Sequence, residues 1–138
     1  MAKDDVGPGP LISHCIVRCP APKLLNASTF WLCTLHSDQR IRLWNTDDGR
    51  CIAVSSSNLY EDSVVPNEVK MVALCALTGY PGQIVVFSNR GDLFVIDVYK
   101  MQLEQHLKLD SAGLVFCEYF AAASTLAMCD ARGTIYLL

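Results

Sequence analysis

The sequence predicts an all-β protein, and three observations support this prediction. Apolar residues occur in short runs of about four to eight, separated by turn-forming residues, which is typical of many short strands. These runs are rich in Val, Ile, Leu and aromatic residues, most of which favour strands. No window of twelve or more residues holds a clean 3.6-residue period, so no long amphipathic helix is expected.

Nine short strands are predicted in chain order, each where an apolar run is bounded by polar or turn-forming residues. They cover residues 12–17, 30–34, 41–44, 51–54, 71–77, 84–87, 93–98, 114–120 and 125–129. The best candidate for a helix, 99–109, follows a strand directly and alternates polar with apolar side chains. We therefore expect a turn and an exposed edge strand there. Residues 1–10 contain four Gly or Pro and no apolar run, which indicates a flexible tail.

The composition excludes several classes of protein. Of the 138 residues, 51% are hydrophobic and only 18% are charged, so the chain has enough apolar material to form a core and is not intrinsically disordered. The net charge of −3 disfavours a nucleic-acid partner. No apolar run approaches the roughly 20 residues that span a bilayer, and residues 1–10 hold no signal-peptide core. We therefore expect no membrane insertion and a cytoplasmic location, with the nucleus as the alternative.

The seven cysteines are expected to be reduced thiols rather than a disulfide framework or a metal site. Their number is odd, no CxxC pair occurs, and six of them lie in apolar runs. Since a free cysteine behaves as a small buried hydrophobe, most of them are predicted to lie in the core. Cys15 and Cys19 lie near His14, but a metal site would need two further ligands with suitable spacing, which the sequence does not supply.

Three segments of the chain repeat one pattern. They cover residues 37–45, 89–97 and 131–138, and each joins a polar turn to a strand that follows another apolar strand. Apolar residues coincide in three columns: Ile41, Leu93 and Ile135; Leu43, Val95 and Leu137; and Trp44, Ile96 and Leu138. The intervals are 52 and 42 residues, close to the ~40–45 residues of a four-stranded propeller blade. A further column, Arg42, Phe94 and Tyr136, is expected to pack against a neighbouring blade.

The first of these segments resembles a known family. The letters SDQRIRLWN at 37–45, followed by DDGRCI at 47–52, resemble the end of a WD40 repeat, and weaker matches cover 83–107 and 114–138. By this resemblance, Thr34, Asp38 and Trp44 match the strand-b hydroxyl, the turn aspartate and the strand-c tryptophan of the family's structural hydrogen-bond tetrad. The Gly-His dipeptide that completes the tetrad is absent from the chain. The resemblance implies a β-propeller built from WD40-like blades.

The expected blades cover about 11–54, 69–109 and 114–138, which makes 11–138 a partial WD40-like propeller after the tail 1–10. Closed propellers need about four to eight blades, and this chain supplies about three. We therefore expect it to be incomplete as a closed propeller on its own. Either it is the N-terminal part of a larger propeller protein, or another chain completes the ring.

Motifs that carry catalysis are absent from the sequence. It contains no GxSxG, HExxH, P-loop or dinucleotide-binding pattern, and its adjacent acidic pairs splay apart on an extended chain. We therefore expect a protein that is not an enzyme and needs no cofactor. The leading hypothesis is a scaffold that binds other protein subunits in a multi-subunit complex, because a propeller presents variable loops on a rigid frame.

Two clusters of side chains are candidates for partner binding. They are Arg40, Arg42 and Arg50 around the first hairpin, and Tyr60, Glu61 and Asp62 in the long connection 55–68. A long connection within a compact domain is often functional, with a solvated insertion as the alternative. Exposed arginines on a strand also keep a sheet edge soluble, which is the simpler interpretation of the first cluster.

Three alternative functions remain open. The arginines, with Trp31 and Tyr60 for base stacking, suit an RNA- or ribonucleoprotein-associated component. The segment 44–52 is similar to rabconnectin-3 beta-type WD40 proteins, and this resemblance implies a regulator of vacuolar proton-pump assembly. The third alternative is a catalytic subunit whose active site spans several chains.

Overall fold

The described part of the chain is built from strands, as predicted. The computed structural model describes residues 9–18, 30–56, 59–60, 69–110 and 113–138. Within these ranges the strands are β1 (Leu11–Arg18), β2 (Phe30–His36), β3 (Ile41–Asn45), β4 (Cys51–Val54), β5 (Met71–Ala76), β6 (Gln83–Ser88), β7 (Asp92–Asp97), β8 (Gln102–Lys108), β9 (Leu114–Phe120), β10 (Thr125–Asp130) and β11 (Ile135–Leu137). One 3₁₀ turn, Ala121–Ala123, is the only helical element in the described ranges. The nine predicted strands and the exposed edge strand within 99–109 are confirmed.

The strands form three antiparallel sheets, each of which follows the chain from one strand to its neighbour. Sheet 1 has the order β1-β2-β3-β4, sheet 2 the order β5-β6-β7-β8, and sheet 3 the order β11-β10-β9. The first strands β1, β5 and β9 lie side by side, with β1 against β5 and β5 against β9. Three blade-like sheets arranged in this way match the predicted fold class, and within the described residues they do not close into a ring.

The repeats found in the sequence are also repeats of hydrogen bonding. In each sheet, the first residue of the turn between the second and third strands donates its N–H to a carbonyl just before the first strand. The pairs are Ser37 to Pro10, Asn89 to Lys70 and Ala131 to Gly113, each at 2.9 Å. Since these turn residues occupy one column of the repeats, the three sheets share one backbone plan.

The sheets also share their irregularities. Where the first strand pairs with the second, one residue is left without a partner in each sheet: Ile12, Val72 and Val115. Where the third strand pairs with the fourth, the register shifts between Leu43 and Trp44 in sheet 1 and between Val95 and Ile96 in sheet 2. Bulges at matching positions show that the repeats are aligned residue by residue.

Each sheet packs on the next through opposite faces. We call the face toward the following sheet the leading face and the face toward the preceding sheet the trailing face. In the first core, leading residues of sheet 1 meet trailing residues of sheet 2, including Leu35, Ile41, Leu43, Ile84, Phe94 and Ile96. In the second core, leading residues of sheet 2 meet trailing residues of sheet 3, including Phe87, Leu93, Leu126 and Met128. Phe94 and Tyr136 pack against these cores, as expected for their column.

Polar side chains tie sheet 1 to sheet 2. Gln39 lies in the β2–β3 turn, where its Oε1 accepts from the Met71 N–H at 2.5 Å and its Nε2 donates to the Met71 carbonyl at 3.4 Å. The Ser13 hydroxyl accepts from the Leu74 N–H at 3.0 Å, and the Tyr99 hydroxyl donates to the Arg18 carbonyl. These hydrogen bonds hold sheets 1 and 2 in a fixed position relative to each other.

The six cysteines in the described ranges are free thiols. Cys33 and Cys75 are buried, as predicted. The expectation of a core thiol is wrong for Cys51, which is exposed because β4 is the outer strand of sheet 1. Cys19 lies outside the described residues.

Candidate protein-interaction site

Two of the three residues matched to a structural tetrad are joined by a hydrogen bond. The Trp44 indole Nε1–H donates to the Thr34 hydroxyl at 2.8 Å, across the neighbouring strands β3 and β2. Asp38 lies in the turn between those strands but bonds elsewhere, accepting from the Arg40 N–H and from the Arg42 guanidinium. Thr34 and Trp44 therefore form a hydrogen-bonded pair on the trailing face of sheet 1, whereas Asp38 pairs with Arg42.

The three candidate arginines differ in exposure and in pairing. Arg42 makes a two-pronged contact with the Asp38 carboxylate, at 3.1 and 2.8 Å, and its side chain is only 14% exposed. This hydrogen bond lowers the pKa of Asp38 and raises that of Arg42. Arg40 is half-buried, whereas the Arg50 side chain is 70% exposed and lies 4.0 Å from the Asp48 carboxylate. The charge of Arg42 is thus largely matched within the turn.

Tyr60 points into the molecule. Its ring lies 4.8 Å from that of Phe94, between centroids, and packs against the first core. Its hydroxyl is buried without a hydrogen-bond partner in the described structure, and burial raises the pKa of Tyr60. Glu61 and Asp62, the other two candidates in the long connection, lie outside the described residues.

Sheet 2 contains a polar network that the sequence did not single out. The Ser88 hydroxyl donates to Asp92 Oδ2 at 2.9 Å, and His106 Nε2 lies 2.8 Å from Asp92 Oδ1. Because the aspartate lies between the serine and the histidine, the imidazole is not placed to take the serine proton, and the order is unsuited to nucleophilic catalysis. The network instead fastens the edge strand β8 to β7, helped by Phe94 stacked on His106 at 4.5 Å between ring centroids.

Several large apolar side chains are exposed together on the leading face of sheet 3. Phe116, Ile135 and Leu137 are 52, 62 and 67% exposed, and Phe120 lies beside them. The register places these side chains on one face: Phe116 pairs with Cys129, which pairs with Ile135, and Leu137 pairs with Ala127. Sequence reasoning treated this strand pair only as part of a blade. The sequence holds no signal for this face, because an apolar strand has the same pattern whether or not a partner covers it. In the structure, β9 alternates between half-buried and exposed side chains, and the exposed ones are mostly apolar.

A second exposed apolar surface lies at the opposite end of the stack, on the trailing face of sheet 1. Ile16, Phe30 and Val54 are each close to half exposed there. Arg18 lies over the Phe30 ring, 5.5 Å from its centroid. The molecule therefore presents one open sheet face at each end, and both are mainly apolar.

An open cavity of about 340 Å³ lies between sheets 1 and 2, lined by residues 16–18, Phe30 and 76–83. Arg18 is its charged lining residue, and the loop that joins β5 to β6 forms much of its wall. No group of three or more His, Cys, Asp or Glu with metal-binding geometry occurs among the described residues. In that part of the chain, no helix has the length and apolar character needed to cross a bilayer.

Comparison of the sequence with models of protein families and with curated proteins gives no match. The WD40 resemblance therefore depends on the residues of the chain itself, chiefly those at 30–54.

Proposed function

We propose that this protein is a non-enzymatic scaffold that binds other protein subunits in a multi-subunit complex. The observation that carries the proposal is the pair of exposed apolar sheet faces at the two ends of the stack. Monomeric soluble proteins rarely expose contiguous apolar patches of this kind, and such patches mark sites where other proteins bind. The polar networks described above also support this role, because they hold strands and turns in place and so have a structural part rather than a catalytic one.

The chemistry of these faces favours a protein partner over RNA. Binding to phosphates needs several unpaired cations, whereas Arg42 is matched by Asp38 and is mostly covered. Cores of protein interfaces are apolar and poor in charge, with aromatic residues enriched. Phe116, Ile135 and Leu137 fit that description.

We also propose that the sheets are WD40-like blades of a propeller completed by further sheets. The hydrogen bond between Trp44 and Thr34 supports this assignment, since the resemblance pairs a strand-c indole with a strand-b hydroxyl. The shared backbone plan of the three sheets supports it too. Asp38 bonds to Arg42 instead of joining that pair, so sheet 1 would be a variant blade without the full tetrad.

A tagged chain purified under native conditions from its own cells tests the scaffold proposal. We expect other subunits in fixed stoichiometry, and we expect Ile135→Lys to remove at least one of them. Leu107→Lys is the matched control, because Leu107 is an exposed apolar residue on the edge strand of the middle sheet. The proposal is wrong if the chain is recovered without other subunits, or if both variants retain the same set.

A further inference from the structure

The two exposed end faces are of complementary kinds. Sheet 1 packs its leading face on the trailing face of sheet 2, and sheet 2 packs its leading face on the trailing face of sheet 3. The same packing step, in which the leading face of one sheet packs on the trailing face of the next, thus occurs twice within one chain. What remains open is a leading face, on sheet 3, and a trailing face, on sheet 1.

The contact between sheets 2 and 3 shows which residues would face one another in a third such step. Cys75 on the leading face of sheet 2 and Cys117 on the trailing face of sheet 3 both lie in the second core, where the two sheets meet. On the open leading face, Glu118 holds the position of Cys75, because it pairs with Ala127 as Cys75 pairs with Val85. Ala127 and Val85 occupy one column of the repeats.

The trailing counterpart is found in the same way. His14 on the open trailing face pairs with Thr34, as Cys117 pairs with Met128. Thr34 and Met128 occupy one column of the repeats, so His14 holds the position of Cys117. A third step would therefore bring the Glu118 carboxylate against the His14 imidazole.

The charges on the two faces suit this contact. Glu118 is the acidic residue of the open leading face and is exposed. The open trailing face carries His14 and Arg18, both exposed, whereas the charge of Arg42 on that face is largely matched by Asp38. The Glu118 carboxylate on one face and the Arg18 guanidinium on the other favour mutual docking and disfavour docking of either face on itself.

We propose that a second copy of this chain covers both open faces. Each copy packs the leading face of its sheet 3 on the trailing face of sheet 1 of the other, which gives a two-fold ring of six sheets. Such a head-to-tail contact must close to avoid filaments, and six blades lie within the range of closed propellers. This inference rests on the proposed scaffold function and names a second copy as the first subunit bound at the open faces. Other subunits would then bind the rim and loops of the ring, and their binding would depend on the ring being closed.

The mass of the purified full chain tests the proposal, measured by light scattering over a range of concentrations. We expect twice the 15.2 kDa of one chain. Glu118→Lys should raise the dimer dissociation constant at least about tenfold, because a lysine would face His14, and His14→Asp should do the same. The double variant should restore the dimer, since the two charges are then exchanged. Leu107→Lys is the control and should leave the dimer unchanged.

Two results would overturn the second copy as the occupant: a monomer at all concentrations up to about 100 μM, where even a micromolar dimer would form, or single and double charge variants that dimerise equally. Circular dichroism checks that each variant is folded, which we expect because all of these positions are exposed. A monomer in solution with other subunits still bound in cells would overturn the ring and leave the scaffold proposal intact. A dimer that binds no other subunit would overturn the scaffold proposal and leave the ring intact.

Discussion

Gln39 shows how one side chain joins two sheets at a cost in backbone energy. Its φ of 66° lies in the left-handed region, where its counterparts in the repeats, Gly91 and Gly133, have φ of 87° and 86°. Glycine adopts this conformation without strain, whereas glutamine does not. The two hydrogen bonds between Gln39 and Met71, one donated by each residue, explain why a side chain is present here.

Two substitutions at Gln39 separate the hydrogen bonds from the strain. Gln39→Ala loses both bonds and keeps the strained backbone, so we expect a loss of about 2 kcal/mol in the free energy of unfolding. Gln39→Gly loses the same bonds but relieves about 1 kcal/mol of strain, so its loss should be about half as large. Urea unfolding of both variants measures the difference. Equal losses would show that the turn is unstrained.

Asp92 provides a pH-dependent contribution to stability. Burial alone would raise its pKa, but hydrogen bonds from His106 and Ser88 and the charge of Lys108 outweigh burial and lower the pKa. A carboxylate with a lowered pKa stabilises the fold fully above its unfolded pKa of about 3.9, and this contribution is lost as pH falls through the folded pKa.

We therefore expect Asp92→Asn to lower the free energy of unfolding by about 1–3 kcal/mol at pH 7. The difference from the unsubstituted protein should stay constant down to about pH 4 and shrink below it, as urea unfolding at several pH values would show. A difference independent of pH would mean that the ionised carboxylate contributes nothing beyond its shape.

At the scale of elements, the middle strands of sheet 2 form the most buried part of the molecule. β6 and β7 each have neighbours on both sides and are almost wholly buried, because sheet 2 packs against another sheet on each face. Among the described strands, β8 pairs with β7 alone, and it is mostly exposed. Burial is therefore greatest in the middle of sheet 2 and decreases toward its edge.

Hydrogen exchange measures this order directly. We expect the amides of β6 and β7 to exchange only on global unfolding, and those of β8 to exchange at least about tenfold faster through local opening. Mass spectrometry of peptides that cover 83–97 and 102–108 distinguishes the two rates. Equal protection would contradict the assignment of β8 as a weakly held edge.

The elements were predictable from the sequence because apolar runs and turn residues mark strands locally. The columns of the repeats also predicted which residues, such as Phe94, pack between sheets. The bulges at Ile12, Val72 and Val115 were not predictable, since a bulge depends on the partner strand. The pairing of Arg42 with Asp38 was missed for a similar reason, because it depends on the conformation of the turn.

The candidate site was predicted less well than the fold. The sequence pointed to charged clusters, whereas the structure draws attention to exposed apolar faces at the ends of the stack. An apolar strand gives the same signal whether a partner covers it or not, so the sequence alone does not distinguish a buried face from an open one. Tyr60 illustrates the converse, since a loop position suggested exposure and the ring packs inward.

At the scale of the whole molecule, one packing contact between sheets is repeated. Three sheets share a backbone plan, two sheet-to-sheet contacts of one kind are formed within the chain, and we propose that the two open faces form a third. If a third contact covers the two open faces, as proposed, both faces of every sheet are buried, which accounts for the high apolar content of a short chain.

Hydroxyl-radical footprinting of the full chain at low and high concentration tests this account most directly. Phe116 lies on the open leading face and Trp44 on the open trailing face, while Leu107 lies on the edge of the middle sheet. The account predicts that oxidation of Phe116 and Trp44 falls together, severalfold, as concentration rises, and that oxidation of Leu107 stays constant. Oxidation of Phe116 and of Trp44 that does not change between low and high concentration would contradict this prediction.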